Sequence, residues 1–339
     1  MTGAFLTTLL FSLSVIFANR SIRALGVMRA NLGRLTLAVI VLGTFAHTLG
    51  NGLHGAGLHW FLLSGVIGMG LGDLALYGAL PRLGSRLSLL MTQCLAAPIA
   101  AFTEWLWLDV TLSPLQLLAG AVILAGVALA LTPARRNQNL GTTAAPRAVS
   151  PTPDLRSTVT PRTPPPVTIT TLGLTFGLLS AAGQGLGAVM SRKANLAAAL
   201  AGELTGGIAL GITAAYQRIL AGFVLTAAWF FIQYLLTRRK VSSPLADQRA
   251  RTRSETPTRT WRSYTWIPFN AFSGPILGVS CYQWALATTA SGIVLPIVAC
   301  TPLVIIPFSH WLEGERSTLR SLLGALLAVS GVIILSTIR

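Results

Sequence analysis

The stretch APIAAFTEWLWL at Ala97–Leu108 has a counterpart 204 residues later, TPLVIIPFSHWL at Thr301–Leu312. The second residue of each stretch is proline and the eleventh is tryptophan. The same offset aligns four further residues of the first half with identical residues of the second, namely Gly70, Ser113, Leu118 and Gly120 with Gly274, Ser317, Leu322 and Gly324. We therefore expect the chain to contain a duplicated unit.

The composition indicates that the solvent of this unit is lipid. Of the 339 residues, 53% are hydrophobic and only 10% are charged, and the mean hydropathy is +0.67. Soluble globular domains carry about 25% charged residues. The apolar residues also come in long blocks rather than at amphipathic spacing, which argues against a water-soluble core.

Ten apolar blocks are long enough to cross a bilayer as helices, because about 17 to 25 residues at helical rise span the hydrocarbon and satisfy their own backbone hydrogen bonds. They predict an all-α integral membrane protein with ten transmembrane helices. In the first half the blocks are Thr2–Ala18, Ala30–His47, Leu58–Leu80, Leu87–Leu106 and Pro114–Leu131. In the second half they are Thr168–Val189, Ala214–Leu236, Trp266–Thr288, Ser291–Leu312 and Leu319–Ile338.

The halves are separated by a proline-rich segment, residues 133–167, which has too few large apolar residues to fold and is expected to be a disordered linker. Residues 1–132 and 168–339 would then each form a five-helix repeat, the second with a basic loop at residues 237–264. Because five is odd, two copies of one fold must insert with opposite orientation. Such inverted repeats are typical of secondary transporters, which bind their substrate between the repeats near the membrane midplane.

Basic residues are distributed unevenly between the two sides of this predicted topology. The loops that follow the odd-numbered spans, taken with the adjoining helix starts, hold 21 of the 25 Lys and Arg residues. Positive charge marks the cytoplasmic side, so we expect the linker and the basic loop in the cytoplasm and both termini outside. Cell (inner) membrane is the expected location.

Residues 194–216, between the sixth and seventh spans, raise the question of an eleventh span. The distance from Arg192 to Arg218 exceeds that from Arg20 to Arg34 by 12 residues. Twelve residues are too few to cross a bilayer, and Glu203 lies among them. We predict a surface excursion.

Several functional classes find no support in the sequence. Cys94, Cys281 and Cys300 lie inside predicted spans without metal-ligand spacing, so we expect no metal and no cofactor. Nothing suggests a catalytic residue set, and the basic charge lies in loops without a nucleic-acid-binding motif. The expected partners are the lipid bilayer and a small-molecule substrate, with no nucleic acid and no enzyme activity; a homodimer is left open.

The fourth and fifth spans of each half, Leu89–Ala130 and Ile293–Leu335, share a pattern of proline within the fourth span, acidic residues near its end and glycines in the fifth. The acidic residues are Glu104, Asp109, Glu313 and Glu315, and the glycines are Gly120, Gly126, Gly324 and Gly331. In this pattern the chain resembles the EamA-type transporters of the drug/metabolite transporter superfamily. The resemblance implies two five-helix repeats and transport of small metabolites, usually driven by an ion or exchange gradient. It also implies cytoplasmic termini, whereas the distribution of Lys and Arg in this sequence predicts that both termini lie outside.

Asp73 in the third span is the first candidate for a transport site. A carboxylate inside a bilayer costs about 2.5 to 3.5 kcal/mol on insertion scales, so it needs a cavity or a cation. It is interpreted either as a proton or substrate-amine site, or as a partner of Arg82, Arg86 or a backbone group.

Arg34 and Arg218 occupy equivalent places near the starts of the second and seventh spans. A buried guanidinium could bind a carboxylate or phosphate with paired hydrogen bonds, whereas an arginine at the interface would only snorkel. Neutral candidates for the cavity wall are Gln93, Gln184, Tyr282 and Gln283, which could equally bridge helices. Pro98 and Pro302 are candidate helix kinks.

These features together predict a secondary transporter. It would move a small amino-acid-like or other polar or amphipathic metabolite by alternating access through a cavity between inverted repeats, with ion or exchange coupling. The alternative is a flippase of a lipid-linked intermediate, which a lateral opening with an apolar groove would distinguish.

Overall fold

The structure, a computed structural model, describes residues 1–131, 170–203, 207–240, 264–304 and 319–337. Every secondary-structure element in these ranges is a helix. The predicted linker 133–167, most of the basic loop 237–264 and the second part of the ninth span lie outside the described residues. The start of the basic loop is helical, because the seventh long helix continues to Lys240.

Eleven α-helices are described. In the first half they are α1 (Thr2–Leu25), α2 (Val27–Leu49), α3 (Leu58–Ser64), α4 (Asp73–Leu108) and α5 (Pro114–Leu131). In the second half they are α6 (Thr171–Leu200), α7 (Ile208–Lys240), α8 (Trp266–Ala271), α9 (Leu277–Thr288), α10 (Ser291–Ala299) and α11 (Leu319–Thr337). A π-helical segment joins α3 to α4 and another joins α8 to α9.

The helix ends follow local sequence signals. The Thr170 side chain accepts a hydrogen bond from the Gly173 amide and caps the start of α6. Pro114 occupies the first position of α5, where its missing amide hydrogen is not needed. Gly26 separates α1 from α2 with φ of 81°, a left-handed conformation that glycine adopts without steric cost.

Among the described residues, five helical segments are long and apolar enough to cross a membrane, and the chain is an integral membrane protein. These segments are Thr2–Ile22, Met28–Leu49, Leu58–Leu76, Thr171–Leu200 and Ile208–Leu236. Shorter apolar helices cover Pro114–Ala130, Ser291–Val304 and Leu322–Leu335. Large aliphatic side chains are exposed on the outside of these helices, as lipid-facing positions should be.

The predicted loop between the third and fourth spans was wrong in its local structure, because α4 is helical from Asp73 to Leu108. The chain nevertheless reverses within α4. A Cβ on Gly183 of α6 would lie 2.8 Å from Gly72, and a Cβ on the nearby Gly185 would lie 2.7 Å from the Ala96 carbonyl oxygen. In a straight helix 24 residues would span about 36 Å, so Gly72 and Ala96 can flank one level of α6 only if α4 folds back between them.

The predicted surface excursion at residues 194–216 was wrong over most of its length. Residues up to Leu200 extend α6, and residues from Ile208 extend α7. Of the described residues in the connection between these helices, 201–203 and Gly207 are not helical. Glu203 lies in that connection, where its carboxylate accepts a hydrogen bond from the Ala56 amide at 2.7 Å. The extra residues lengthen two helices rather than forming a separate loop.

Glycines allow the closest helix contacts. A Cβ on Gly187 of α6 would lie 3.0 Å from the Gly68 Cα atom, and a Cβ on Gly126 of α5 would lie 2.6 Å from the Gly324 carbonyl oxygen of α11. Helices with small residues at their crossing can pack backbone to backbone, as in other membrane proteins. The most extensive helix contacts are α4 with α6, α5 with α11 and α2 with α7.

The two π-helical segments interrupt the third and eighth predicted spans at matching places. The first covers Gly65–Gly72 and the second covers Phe272–Ile276. Their last residues are 204 apart, which is the offset of the sequence repeat. Such segments insert an extra residue into a helical turn and are frequent at functional sites.

Candidate functional site

A cavity of about 310 Å³ lies in the middle of the helical bundle. Both halves of the chain contribute to its wall, since α1, α2, α4, α6, α7, α9 and α10 all place residues there together with both π-helical segments. Six of the seven predicted site residues line it: Arg34, Asp73, Gln93, Gln184, Arg218 and Tyr282. The structure thus brings together residues that are up to 248 positions apart in the sequence.

Asp73 is the first residue of α4 after the π-helical segment. Its Oδ1 atom accepts a hydrogen bond from Gln184 Nε2 at 3.3 Å, and the same Nε2 atom lies 3.4 Å from the Gly68 carbonyl oxygen. Arg82 is not its partner, because Arg82 donates to the Gly78 carbonyl oxygen and packs over Phe176. The side chain of Arg86 is outside the description. Asp73 lies on the cavity wall, and its role as a proton or amine site stays a prediction.

Arg218 enters the cavity from α7 and is 3% exposed. Its Nη1 atom donates to Ser191 Oγ at 3.1 Å, and its guanidinium carbon lies 5.5 Å from the centre of the Tyr282 ring. Gly68 leaves room for the guanidinium, since a Cβ there would lie 2.8 Å from Nη2. Within the described residues the Nε atom of Arg218 is buried without a hydrogen-bond partner. Snorkelling to the interface, the alternative interpretation, is not what Arg218 does.

Ser191 on α6 is the centre of a buried polar cluster that holds Arg218. Its hydroxyl oxygen lies 2.8 Å from Ser64 Oγ and 3.1 Å from Gln283 Nε2 as well as from the arginine. Gln283 is fully buried in this cluster and does not line the cavity. Its prediction as a wall residue is therefore not matched by its position; it bridges α9 to α6 instead.

Arg34 of α2 also lines the cavity and is half-buried. Its Nε atom donates to Asn31 Oδ1 at 2.8 Å, one turn earlier on the same helix. Both Arg34 and Arg218 are close enough to Asp73 to act on its charge. Among the described residues neither arginine forms an ion pair with that carboxylate.

Pro98 and Pro302 do not line the cavity. Pro98 is exposed within α4, and Pro302 is half-buried in the short helical stretch after α10. The cavity wall instead contains Pro275, which lies inside the second π-helical segment. We did not single out Pro275 from the sequence, although a proline in the middle of an apolar span is a visible signal.

Apolar and small polar side chains complete the wall, and the sequence did not single them out. The apolar part includes Phe11, Val279, Leu295 and Val298, and the small polar part includes Ser14, Thr92 and Thr301. Aliphatic and small hydroxyl residues are common in every membrane span, so their type carries no signal of a cavity. Only packing shows which of them face it.

A buried ion pair lies between the cavity and the end of the molecule that carries residues 50–57 and 201–203. Glu104 of α4 and Arg192 of α6 approach to 2.5 Å, and the Glu104 side chain is 2% exposed. The second carboxylate oxygen of Glu104 accepts from Ser291 Oγ at 2.5 Å and from the Gly292 amide at 3.2 Å. Arg192 also donates to the Leu286 carbonyl oxygen at 3.1 Å. The pair therefore ties α4 of the first half to three helices of the second.

Lys193, next to Arg192 in the sequence, makes a second set of contacts beside the ion pair. Its ammonium lies 4.6 Å from the ring centre of Trp60 and 3.9 Å from that of Trp107. Cations over tryptophan faces are favourable contacts, worth about 0.5 to 2 kcal/mol depending on desolvation. Because Trp60 precedes and Trp107 follows the reversal in α4, this contact also holds the two arms of that helical hairpin together.

Known proteins agree with the membrane assignment. The model of the EamA-like transporter family matches residues 1–132 and 163–337. A solved structure described as "Crystal structure of protein" is similar at a TM-score of 0.63 and 13% identity, covering 99% of this chain and 95% of that one. At this identity the likeness concerns the fold alone. No curated protein matches the sequence at a significant level.

Proposed function

Because the chain belongs to the EamA-like transporter family, we propose that it is a secondary transporter of a small polar or amphipathic metabolite. The solute binds in the central cavity and reaches either side of the membrane by alternating access, with coupling to an ion or an exchanged solute. One observation carries this proposal: charged and polar side chains from both halves converge on one mid-bundle cavity. Polar groups are expensive inside a bilayer and are typically kept for a substrate or ion pathway.

The pattern of helix contacts supports ten spans arranged as two inverted repeats. The third predicted span is α3 with its π-helical segment and the start of α4, and the eighth is α8 with α9. Contacts of the first span with the eighth are matched by contacts of the sixth with the third. Contacts α2–α7 and α5–α11 join helices at equivalent places in the two halves. An exchange of halves preserves these contacts, as expected for a two-fold pseudo-symmetric transporter. Among the described residues, the contact of α7 with α9 has no counterpart of similar extent between α2 and the third span.

The repeat symmetry also supports the two π-helical segments at the cavity as the place where the helices change conformation. Each half has a π-helical segment that ends at the same repeat position, and both segments touch the cavity, through Met69 in one and Pro275 in the other. We place the conformational change of alternating access at these segments. Helix interruptions at membrane depth are found where they line a cavity.

For the orientation we propose the cytoplasm for residues 133–167 and 237–264, and the outside for both termini, in the cell (inner) membrane. The distribution of Lys and Arg supports this choice. The ion pair of Glu104 with Arg192 would then lie between the cavity and the outside. The flippase alternative has no observation in its favour, since the cavity is small and Arg34, Asp73 and Arg218 lie on its wall.

The test compares the chain with two matched Asp→Asn variants. Asp73→Asn keeps an oxygen for the hydrogen bond from Gln184 but removes the charge, whereas Asp109→Asn changes a residue at the end of α4 whose φ of 52° asparagine also tolerates. Media and cell extracts of cells that express each form would be compared by untargeted metabolite analysis. We expect a solute whose distribution changes with the native chain and with Asp109→Asn. With Asp73→Asn the change should be at least about tenfold smaller, because the loss of about 1.4 kcal/mol in proton or solute binding lowers the binding constant tenfold. Equal effects of both variants at equal amounts in the membrane would remove Asp73 from the mechanism.

A further inference from the structure

The charges in the cavity do not balance. Among the residues described on its wall, the charged ones are Arg34, Asp73 and Arg218, two cations and one anion. The remaining described lining residues are neutral or apolar. The cavity therefore carries one excess positive charge, in a bundle where charge is costly unless it is compensated.

Within the described residues, the three charges also have no charged hydrogen-bond or ion-pair partner. Asp73 is bonded to Gln184, Arg34 to Asn31 and Arg218 to Ser191, and each of these partners is neutral. The ion pair found among the described residues is that of Arg192 with Glu104, outside the cavity wall. Among the described residues these side chains form no ion pair with one another, so their charges remain available to a ligand.

Arg218 is prepared to bind an acidic group. Ser191 holds its Nη1 atom, while Nε is buried with no partner in the described part of the protein. A guanidinium binds a carboxylate or phosphate through two parallel N–H groups, and such charge-assisted pairs are about twice as strong as neutral hydrogen bonds. An unbonded buried N–H group is costly, so a ligand oxygen at Nε removes that cost.

Asp73 is prepared for a group of opposite sign. The described hydrogen bond from Gln184 goes to Oδ1, and a carboxylate of a wall residue has further acceptor positions for a ligand. An ammonium group satisfies these positions and neutralises the carboxylate. Val279, Leu295 and Val298 on the wall offer a surface for a short carbon chain.

From this arrangement we propose that the solute has two acidic groups and one amine, with a net charge of −1. One acidic group binds Arg218, the second binds Arg34, and the amine binds Asp73. An acidic amino acid is the simplest molecule of this class. This assignment rests on the proposed function and specifies the substrate class of the same cavity.

Three probes with the same five-carbon chain separate the elements of the proposal. L-glutamate has both acids and the amine, L-glutamine has one acid converted to a neutral amide, and glutarate lacks the amine. Purified chain in liposomes would take up labelled L-glutamate, with the unlabelled probes as competitors. We expect saturable uptake and competition that is at least about tenfold weaker for L-glutamine and for glutarate, because each loses one charge-assisted contact.

The variant Arg34→Gln tests whether Arg34 binds the second acidic group. Its readout is the discrimination between two competitors, which a loss of protein stability does not change. Its discrimination between L-glutamate and L-glutamine should fall from about tenfold towards onefold, because the group that distinguishes a carboxylate from an amide is gone. Arg82→Gln is the matched control, since Arg82 bonds to the Gly78 carbonyl oxygen away from the cavity and should leave the discrimination unchanged. Arg218→Gln should lower L-glutamate uptake at least about tenfold, with a measured melting temperature showing whether it folds.

Equal competition by all three probes, or unchanged discrimination in Arg34→Gln, would overturn the substrate class. The same holds if the native chain takes up no L-glutamate while the metabolite comparison finds another, Asp73-dependent solute; in that case the transporter proposal survives. Absence of any Asp73-dependent solute would instead contradict the transporter proposal itself.

Discussion

At the scale of single residues, the cavity depends on atoms that keep Arg218 in place. Ser191 holds the guanidinium from one side, and the missing side chain of Gly68 leaves space for it on the other. Burial alone does not explain this geometry, because an arginine on an apolar helix would otherwise extend towards the interface. The position of the charge is thus set by small neighbours rather than by an opposite charge.

We predict that Gly68→Ala weakens solute binding without unfolding the protein. A Cβ there would lie 2.8 Å from Arg218 Nη2, the far end of a flexible side chain, so the guanidinium can move aside. Displacing a binding group by about 1 Å can cost up to a hundredfold in function, and we expect about a tenfold higher half-saturation concentration for the transported solute. An unchanged half-saturation concentration, with melting temperature also unchanged, would contradict the role of Gly68.

At the scale of helices, two devices organise the bundle. Glycines at the crossing points bring α5 against α11 and the first π-helical segment against α6. The reversal within α4 lets one continuous helical stretch supply two spans, with Asp73 on the arm before the reversal and Gln93 on the arm after it. The cavity wall thus receives two polar side chains from a single helix.

The α5–α11 crossing gives a stability prediction. A Cβ on Gly126 would lie 2.5 Å from the Ala328 amide nitrogen, a backbone atom that cannot move independently. We expect Gly126→Ala to destabilise the purified protein by about 1 to 3 kcal/mol, the usual cost of overpacking, seen as a lower melting temperature in detergent. Gly120→Ala on the same helix is the control, because its Cβ would meet only Pro296 at 3.8 Å. Equal melting temperatures for the two variants would show that the crossing is not tight.

At the scale of the whole molecule, the two halves are joined on one end by charge. The pair of Glu104 with Arg192 spans the halves, and the Lys193 contact with two tryptophans lies beside it. Removing one partner of a buried ion pair leaves an uncompensated charge, whereas replacing both by apolar residues is often neutral. This connection must open if the cavity is to reach that side of the membrane.

We predict that Glu104→Gln is destabilising and that the double variant Glu104→Gln with Arg192→Met recovers much of the loss. Breaking a buried pair costs roughly 3 to 5 kcal/mol in proteins of known energetics. Thermal unfolding of the purified single and double variants measures both effects. A single variant as stable as the native chain would mean that the pair does not hold the halves together.

The orientation of the molecule is tested by cysteine labelling in intact cells. In a background where Cys94, Cys281 and Cys300 are replaced, His54→Cys lies on the end predicted to face outside, and Ser150→Cys lies in the linker predicted to be cytoplasmic. A membrane-impermeant maleimide should label position 54 before permeabilisation and position 150 only afterwards. The reverse order would place the termini in the cytoplasm.

The sequence was sufficient to predict the membrane class, the family resemblance and most of the polar groups in the cavity. Long apolar blocks have one stable form in lipid, and an ionisable or amide group inside such a block requires a partner, so Asp73 and Gln184 were visible without coordinates. Ten spans and inverted repeats stay predictions from the sequence. The apolar pattern does not reveal where helices continue beyond the bilayer. For this reason the local structure of the loop between the third and fourth spans was predicted wrongly, and so was most of the excursion at residues 194–216.

The tertiary structure alone decided what each polar group contacts. Gln93 and Gln283 are equally plausible wall residues in sequence, yet the first faces the cavity and the second is bonded to Ser191 inside the protein. The sequence showed that the stretch ending in Trp107 is duplicated, but not that Glu104 within it pairs with Arg192. The physical reason is that a polar residue in an apolar span shows only that its side chain needs a hydrogen-bond partner. The helix crossings determine which partner comes within hydrogen-bonding distance, and these crossings are set by glycines far apart in the chain.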